Sequence, residues 1–122
     1  MNLISTDDTV VVFGSMGMAG SAIVRALQRN GYSKILKPSR KELNLLDYVA
    51  VRDWFKLANP DVVVIAAAKV GGIYANNKYP ADFILENLKI QNNIIEIAWR
   101  ENVKKLLFLG SSCIYPKFSK QP

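Results

Sequence analysis

Apolar residues follow two rhythms along this chain, short unbroken runs and longer stretches at helical spacing, and the two alternate. Val10-Val11-Val12-Phe13 is an unbroken run, the pattern of a strand covered on both faces in a parallel sheet. From Met18 to Asn30 the spacing turns helical. Ile23, Ala26 and Leu27 share one face, Arg25 and Gln28 turn away, and Asn30-Gly31 is a stop. Ile35-Leu36 predicts a short strand ended by Pro38-Ser39. Leu43 to Leu45 predicts a further, very short strand, and Asp47 reads as the cap of a helix over Tyr48 to Ala58. Asn59-Pro60-Asp61 breaks the chain before Val62 to Ala68, another doubly buried strand. A polar, glycine-bearing loop, KVGGIYANNKYP, follows it. The longest helix is expected from Pro80 to Arg100, with Phe83, Ile84, Leu88, Ile94, Ile95 and Ala98 at helical spacing. Lys105 to Gly110 is the next buried strand and opens onto Ser111-Ser112-Cys113-Ile114-Tyr115-Pro116. The alternation predicts an α/β fold with a doubly wound parallel sheet. Such a sheet receives ligands outside the carboxyl ends of its strands, so the loops there carry the chemistry.

The most informative of those loops joins the first strand to the first helix. Gly14, Gly17 and Gly20 stand at three-residue steps in GSMGMAG. Gly14 suits a tight turn, Gly17 lets backbone N–H groups approach a pyrophosphate, and Gly20 allows close packing of helix on strand. Phosphates would sit at a helix N-terminus, where unpaired N–H groups and the macrodipole favour negative charge. Glycines also mark ordinary turns, but between this strand and this helix the spacing points to dinucleotide binding. The loop Gly14, Ser15, Met16, Gly17, Met18, Ala19 and Gly20 is the candidate phosphate cradle.

At the end of the second strand, an acid would accept from an adenosine ribose 2′-hydroxyl and a base would pair with a 2′-phosphate. Here the sequence is Lys37-Pro38-Ser39-Arg40, with no acid before Glu42. The Arg40 fork suits a phosphate, and the alternative is a solvated surface arginine. Ser111 and Ser112 could donate to a carbonyl held over a nicotinamide or simply form a turn. Cys113 is either a small buried hydrophobe or, with a placed partner, an acid/base. Lys69, Asn76, Asn77 and Lys78 could meet a substrate or form a wet loop. Tyr115 has no lysine four positions later and is assigned to loop support.

Composition narrows the function further. The 122 residues suffice for one domain with a core, and half of them are apolar. No apolar stretch approaches the ~18 residues of a membrane span. Met1 to Asp8 carries neither the basic flank nor the apolar segment of a secretory signal, which predicts a cytoplasmic protein. The formal charge of +6 comes from scattered Lys and Arg with no nucleic-acid motif, so anionic small molecules account for it. A single cysteine excludes an internal disulfide, and with no histidine a metal site is not expected.

Ala66 to Leu88, Lys105 to Lys117 and KELNLLD at Lys41 to Asp47 resemble the corresponding segments of the GDP-fucose synthases, a family of extended short-chain dehydrogenase/reductases. The resemblance runs over nearly the whole chain from Val10. It implies an NAD(P)-binding Rossmann fold and an NADP(H)-dependent epimerase-reductase acting on a GDP-sugar, a homodimer in full-length form. Gly14, Gly17 and Gly20 match the family's NADP phosphate loop, Arg40 its 2′-phosphate arginine, and Leu109, Gly110, Ser111 and Ser112 the strand end lining the nicotinamide. Ser111 matches the hydroxyl that polarises the C4 ketone, and Cys113 the thiol acting as acid/base at carbons 3 and 5. Met16 departs from the pattern, since the family often has a basic residue there. The family's catalytic Tyr-x-x-x-Lys pair and the histidine partner of the cysteine lie further along its chain. The resemblance therefore implies that residues 1–122 are a partial NADP-binding domain, incomplete on its C-terminal side and without the sugar-nucleotide domain. The expectations are a fragment of a longer enzyme, inactive alone, a non-catalytic NADP-binding module, or a related nucleotide-sugar epimerase/reductase.

Overall fold

A computed structural model describes residues 3–68, 73–110, 116 and 118–120. Four strands, β1 (Val10–Phe13), β2 (Ile35–Leu36), β3 (Val62–Ile65) and β4 (Lys105–Phe108), form one sheet in the order β2-β1-β3-β4. Every pairing is parallel, with Val10 opposite Ile35 and Val62, and Val62 opposite Lys105. From β1 the chain first winds to β2 on one side, then crosses to β3 on the other. Strand order therefore reverses between β1 and β3, the position where a doubly wound sheet opens a crevice.

The period of two in β1 explains why its apolar run is unbroken. Val11 and Phe13 face a core shared with Val51 and Phe55 of α2 (Tyr48–Ala58) and Ile94, Ile97 and Ala98 of α4 (Pro80–Arg100). Val10 and Val12 face the other layer, where Val24 of α1 (Met18–Arg29) packs with Val62 and Val64. On the α2 side, the Phe13 ring meets Trp54 edge-on at 5.6 Å and stacks with Phe55 at 5.9 Å. Both helices covering this end of the sheet stop where the sequence directs. The Asn30 amide donates to the Ala26 carbonyl at 2.7 Å and Gly31 takes φ +86°. The Asp47 carboxylate caps α2 by accepting from the Ala50 N–H, and Asn59 closes it in the left-handed conformation.

Several expectations are corrected. Leu43 to Leu45 is a pair of turns rather than a strand. The Leu43 N–H donates to the Ser39 carbonyl and the Asn44 side chain accepts from the Leu46 N–H, while Leu43 itself is buried in the core. Its apolar character reflects tertiary burial. Part of the supposed loop KVGGIYANNKYP is helical, α3 (Ile73–Lys78). On α1, Val24 joins Ile23 and Leu27 as the most buried of the three. On α4 the predicted apolar set mixes two faces. Ile94 and Ala98 are buried with Ile97, whereas Ile84, Leu88 and Ile95 are exposed. β3 ends at Ile65 and β4 at Phe108, both short of the predicted spans. β4 is also not buried: Leu107 and Phe108 are about half exposed, at 49% and 46%. Among the described residues nothing pairs with its outer edge. No helix among them is long and apolar enough to cross a membrane.

Candidate functional site

A cavity of about 770 Å³ lies over the carboxyl ends of β1 and β3, within the range of small-molecule sites. The glycine loop, 14–20, forms one wall. Residues 38–41 after β2, 43–46 before α2 and 66–68 after β3 form the others, and Glu86 and Ile90 of α4 close the far side.

The loop is shaped by two glycines that the fold itself demands. Gly14 takes φ +84°, and a Cβ there would lie 2.5 Å from the Ala66 carbonyl oxygen. A Cβ on Gly20 would collide with the Gly14 carbonyl, so α1 rests directly on the turn beneath it. Gly17 is different. It is the N-cap of α1 with φ −75°, and a Cβ there would meet only the Gly14 carbonyl oxygen, at an ordinary 3.5 Å. Nothing in the described fold requires glycine at position 17.

No side chain caps α1 and no acid stands in its first turn. The N–H groups that open a helix have no intrahelical partner, and here they border the cavity. Ser15 is buried beside them, while Met16 and Met18 project outward, 89% and 90% exposed.

Arg40 stands on the opposite wall and donates to the Ala68 carbonyl at 3.2 Å, bridging the loops after β2 and β3. Glu42, the nearest acid in sequence, accepts from the Ser39 hydroxyl at 3.1 Å and does not line the cavity.

The fold thus brings Gly14 through Gly20 together with Arg40. Leu109 continues the β3 pairing through its N–H on the Ile65 carbonyl, and Gly110 is open, but neither lines the cavity. Ser111, Ser112, Cys113 and Tyr115 lie outside the described residues, as do Lys69 and the side chain of Asn76. Asn77 and Lys78 are exposed on α3, away from the cavity lining. Tyr74 and Lys78 happen to have Tyr-x-x-x-Lys spacing. The lysine Nζ there sits over the ring faces of Tyr74 and Tyr79, 5.7 and 5.3 Å from the centroids.

Sequence reasoning missed Glu86, Ile90 and the wall of Asn44, Leu45 and Leu46. The only local signal was the i, i+4 spacing that puts Glu86 and Ile90 on one helix face.

Residues 10–122 match the NAD dependent epimerase/dehydratase family. The chain belongs to that family.

Within this epimerase/dehydratase family, the chain is 57% identical over 113 residues to the GDP-L-fucose synthase of Escherichia coli (strain K12), covering 93% of this chain and 35% of that protein. A GDP-D-glycero-L-gluco-heptose synthase from Campylobacter jejuni, solved in the presence of NADPH, superposes with a TM-score of 0.92 at 40% identity. That match covers 98% of this chain and 35% of the other. A GDP-L-fucose synthetase from Naegleria fowleri bound to NADP gives 0.83 at 27% identity, with 98% and 35% covered. The chain therefore spans about a third of the length of the relatives it matches.

Proposed function

We propose that residues 1–122 are the N-terminal, NADP(H)-binding part of a GDP-L-fucose synthase that epimerises and reduces GDP-4-keto-6-deoxy-mannose. The observation that carries the cofactor reading is the pairing, across one cavity, of the uncapped α1 N-terminus with Arg40. The pyrophosphate rests on N–H groups of 18–20, with Gly17, whose own N–H donates to the Gly14 carbonyl, sparing room that the protein itself does not use. Arg40 meets the 2′-phosphate, with Ser15, Met16, Met18 and Ala19 as the rest of the cradle. Bound NADPH supplies the hydride.

On the strength of the resemblance, Leu109, Gly110, Ser111 and Ser112 line the nicotinamide. Ser111 polarises the C4 ketone, and Cys113 moves protons at carbons 3 and 5. A thiol suits that task, because a proton α to a ketone is acidified and a group of pKa about 8.5 can be tuned toward operating pH. The enzyme works in the cytoplasm on a soluble GDP-sugar. It pairs as a homodimer, supported by the exposed stripe Ile84, Leu88, Ile95 and Trp99 along α4.

The similarity to the heptose synthase favours one alternative, a reductase of another GDP-sugar ketone. Calorimetric titration of the 122-residue chain with NADPH tests the cofactor reading. An NADPH-oxidation assay of the chain extended to its relatives' length, with GDP-4-keto-6-deoxy-mannose beside other GDP-ketosugars, tests the substrate. Binding and preferential turnover of the deoxymannose are expected. Absence of NADPH binding overturns the first reading, and faster turnover of another ketosugar overturns the second.

A further inference from the structure

The turn after β2 carries an acid two residues from Arg40, and the fold sorts the two to different sides. Of the described residues 38–46, Glu42 alone does not line the cavity. The turn is closed around Ser39. The N–H groups of Glu42 and Leu43 donate to the Ser39 carbonyl at 3.1 and 2.9 Å, and the Glu42 N–H also lies 3.3 Å from the Ser39 Oγ. The Ser39 hydroxyl donates in return to Glu42 Oε1 at 3.1 Å. This reciprocal Ser-x-x-Glu arrangement is the one that caps helices, used here to close a single turn. Leu43, buried in the α2 and α4 core, anchors it from below. Arg40 and Lys41, between the two bonded residues, are left facing the cavity.

We propose that Ser39 is a positioning residue for cofactor selection, holding the Glu42 carboxylate away from the ribose so that the loop accepts a 2′-phosphate; this role rests on the dinucleotide reading above. A carboxylate turned toward the ribose does two things at once. It accepts from a free 2′-hydroxyl, and it repels a 2′-phosphate that carries more than one negative charge at neutral pH. An acid so close to Arg40 would therefore oppose the selection that Arg40 supplies. Tied to Ser39, it does not. A hydroxyl has one proton to give. While Ser39 gives that proton to Glu42 it donates none to the ligand, so its influence on the cofactor runs through the acid.

The test titrates the 122-residue chain and its variants with NADPH and NADH by calorimetry. Ser39→Ala should lower NADPH affinity roughly three- to tenfold, the size of a repulsion between charges a side chain apart at a solvent-facing site. NADH affinity should hold or rise. Ser39→Thr, which keeps the hydroxyl, should keep the parent's NADPH-over-NADH ratio. The double variant Ser39→Ala/Glu42→Gln should regain that ratio, because the freed side chain no longer carries a charge. A Ser39→Ala protein with the parent's ratio overturns the positioning role alone. So does one that loses both cofactors equally, which marks a merely loosened turn. A ratio still lost in the double variant also overturns it, since Ser39 would then act on the ligand directly. Failure of the parent to bind either cofactor overturns the dinucleotide reading and this role together.

Discussion

Gly20 packs its Cα against the carbonyl of Gly14, leaving no space for a Cβ, whereas Gly17 between them has space to spare. The same residue type is thus demanded for two different reasons. Gly20→Ala forces α1 off the turn and should destabilise the fold by about 1–3 kcal/mol, the usual cost of overpacking. Gly17→Ala should leave stability within about 0.5 kcal/mol of the parent, as its backbone needs no positive φ. It should nonetheless weaken NADPH binding roughly tenfold or more by filling the space proposed for a phosphate. Thermal melts beside calorimetric titrations separate the two effects. A Gly17→Ala protein with normal NADPH affinity removes position 17 from the cradle.

Arg40 is exposed and donates to the Ala68 carbonyl, its one hydrogen bond among the described residues, so its removal should leave the fold intact. Arg40→Ala should erase the preference for NADPH over NADH, a loss of about 1.5–3 kcal/mol or roughly ten- to a hundredfold. Met16 offers no second charge to the phosphate, which places the margin toward the low end. Equal affinities for the two cofactors in the parent would contradict the assignment.

In the chain extended to its relatives' length, Cys113→Ser should impair epimerisation far more than reduction. In the proposed mechanism the thiol handles carbon-bound protons and takes no part in hydride delivery. Ser111→Ala should instead slow the hydride step about a hundredfold or more, the common cost of removing a preorganised donor to a developing oxyanion. Solvent deuterium exchange at carbons 3 and 5 distinguishes the steps. Normal exchange in the Cys113 variant excludes that residue from proton transfer.

What could be read without the fold was whatever short stretches specify locally. The β1 run, the Asp47 cap and the Asn30-Gly31 stop all act within a few residues, and the elements they predict match. Leu43 misled because an apolar residue buried from a turn carries no period of its own. α4 misled for a related reason. Its 21 residues are apolar on two sides, and which side is buried depends on neighbours far away in sequence. Within the site, the glycines announced themselves by spacing and Arg40 by its place after the second strand, with no acid before Glu42. Glu86 reaches the same cavity from α4, with no motif around it, because only the packing of α4 on α2 brings it there.

The ion pair between Lys104 and Asp8, 2.7 Å, ties the N-terminal turn to the start of β4. The Lys104 hydrogen bond, assisted by the Ser5 backbone N–H, holds the Asp8 carboxyl below the ordinary Asp value of about 3.9. A depressed carboxyl contributes stability that is present above its unfolded pKa and lost as pH falls through the folded one. Lys104 is raised, chiefly by the same bond, so its contribution is full below its unfolded pKa and lost as alkaline pH passes the folded one. Melting temperature should therefore fall at both acid and alkaline extremes. Asp8→Asn should lower the mid-range plateau and flatten both limbs. Limbs as steep as the parent's would show that other groups set them.

β4 carries the sequence of an interior strand in an edge position. Leu106 packs on the α2 and α4 core, but Leu107 and Phe108 remain about half exposed, and the outer N–H and C=O groups of Lys105–Phe108 are unpaired among the described residues. An apolar edge without Pro or bulge is a template for another strand. The 122-residue polypeptide should accordingly self-associate as its concentration rises, and strand addition along an edge does not close on itself as a symmetric helix-face dimer does. Leu107→Lys should suppress the growth, since a charge beside an open edge opposes pairing, and should lower the melting temperature only modestly because about half of the side chain is already exposed. Trp99→Lys, on the exposed stripe of α4, should abolish a discrete dimer and leave the larger species. Sedimentation velocity of the parent and both variants distinguishes the two surfaces. A parent that remains monomeric, or large species that persist unchanged in Leu107→Lys, would show that the β4 edge is not the surface that drives assembly.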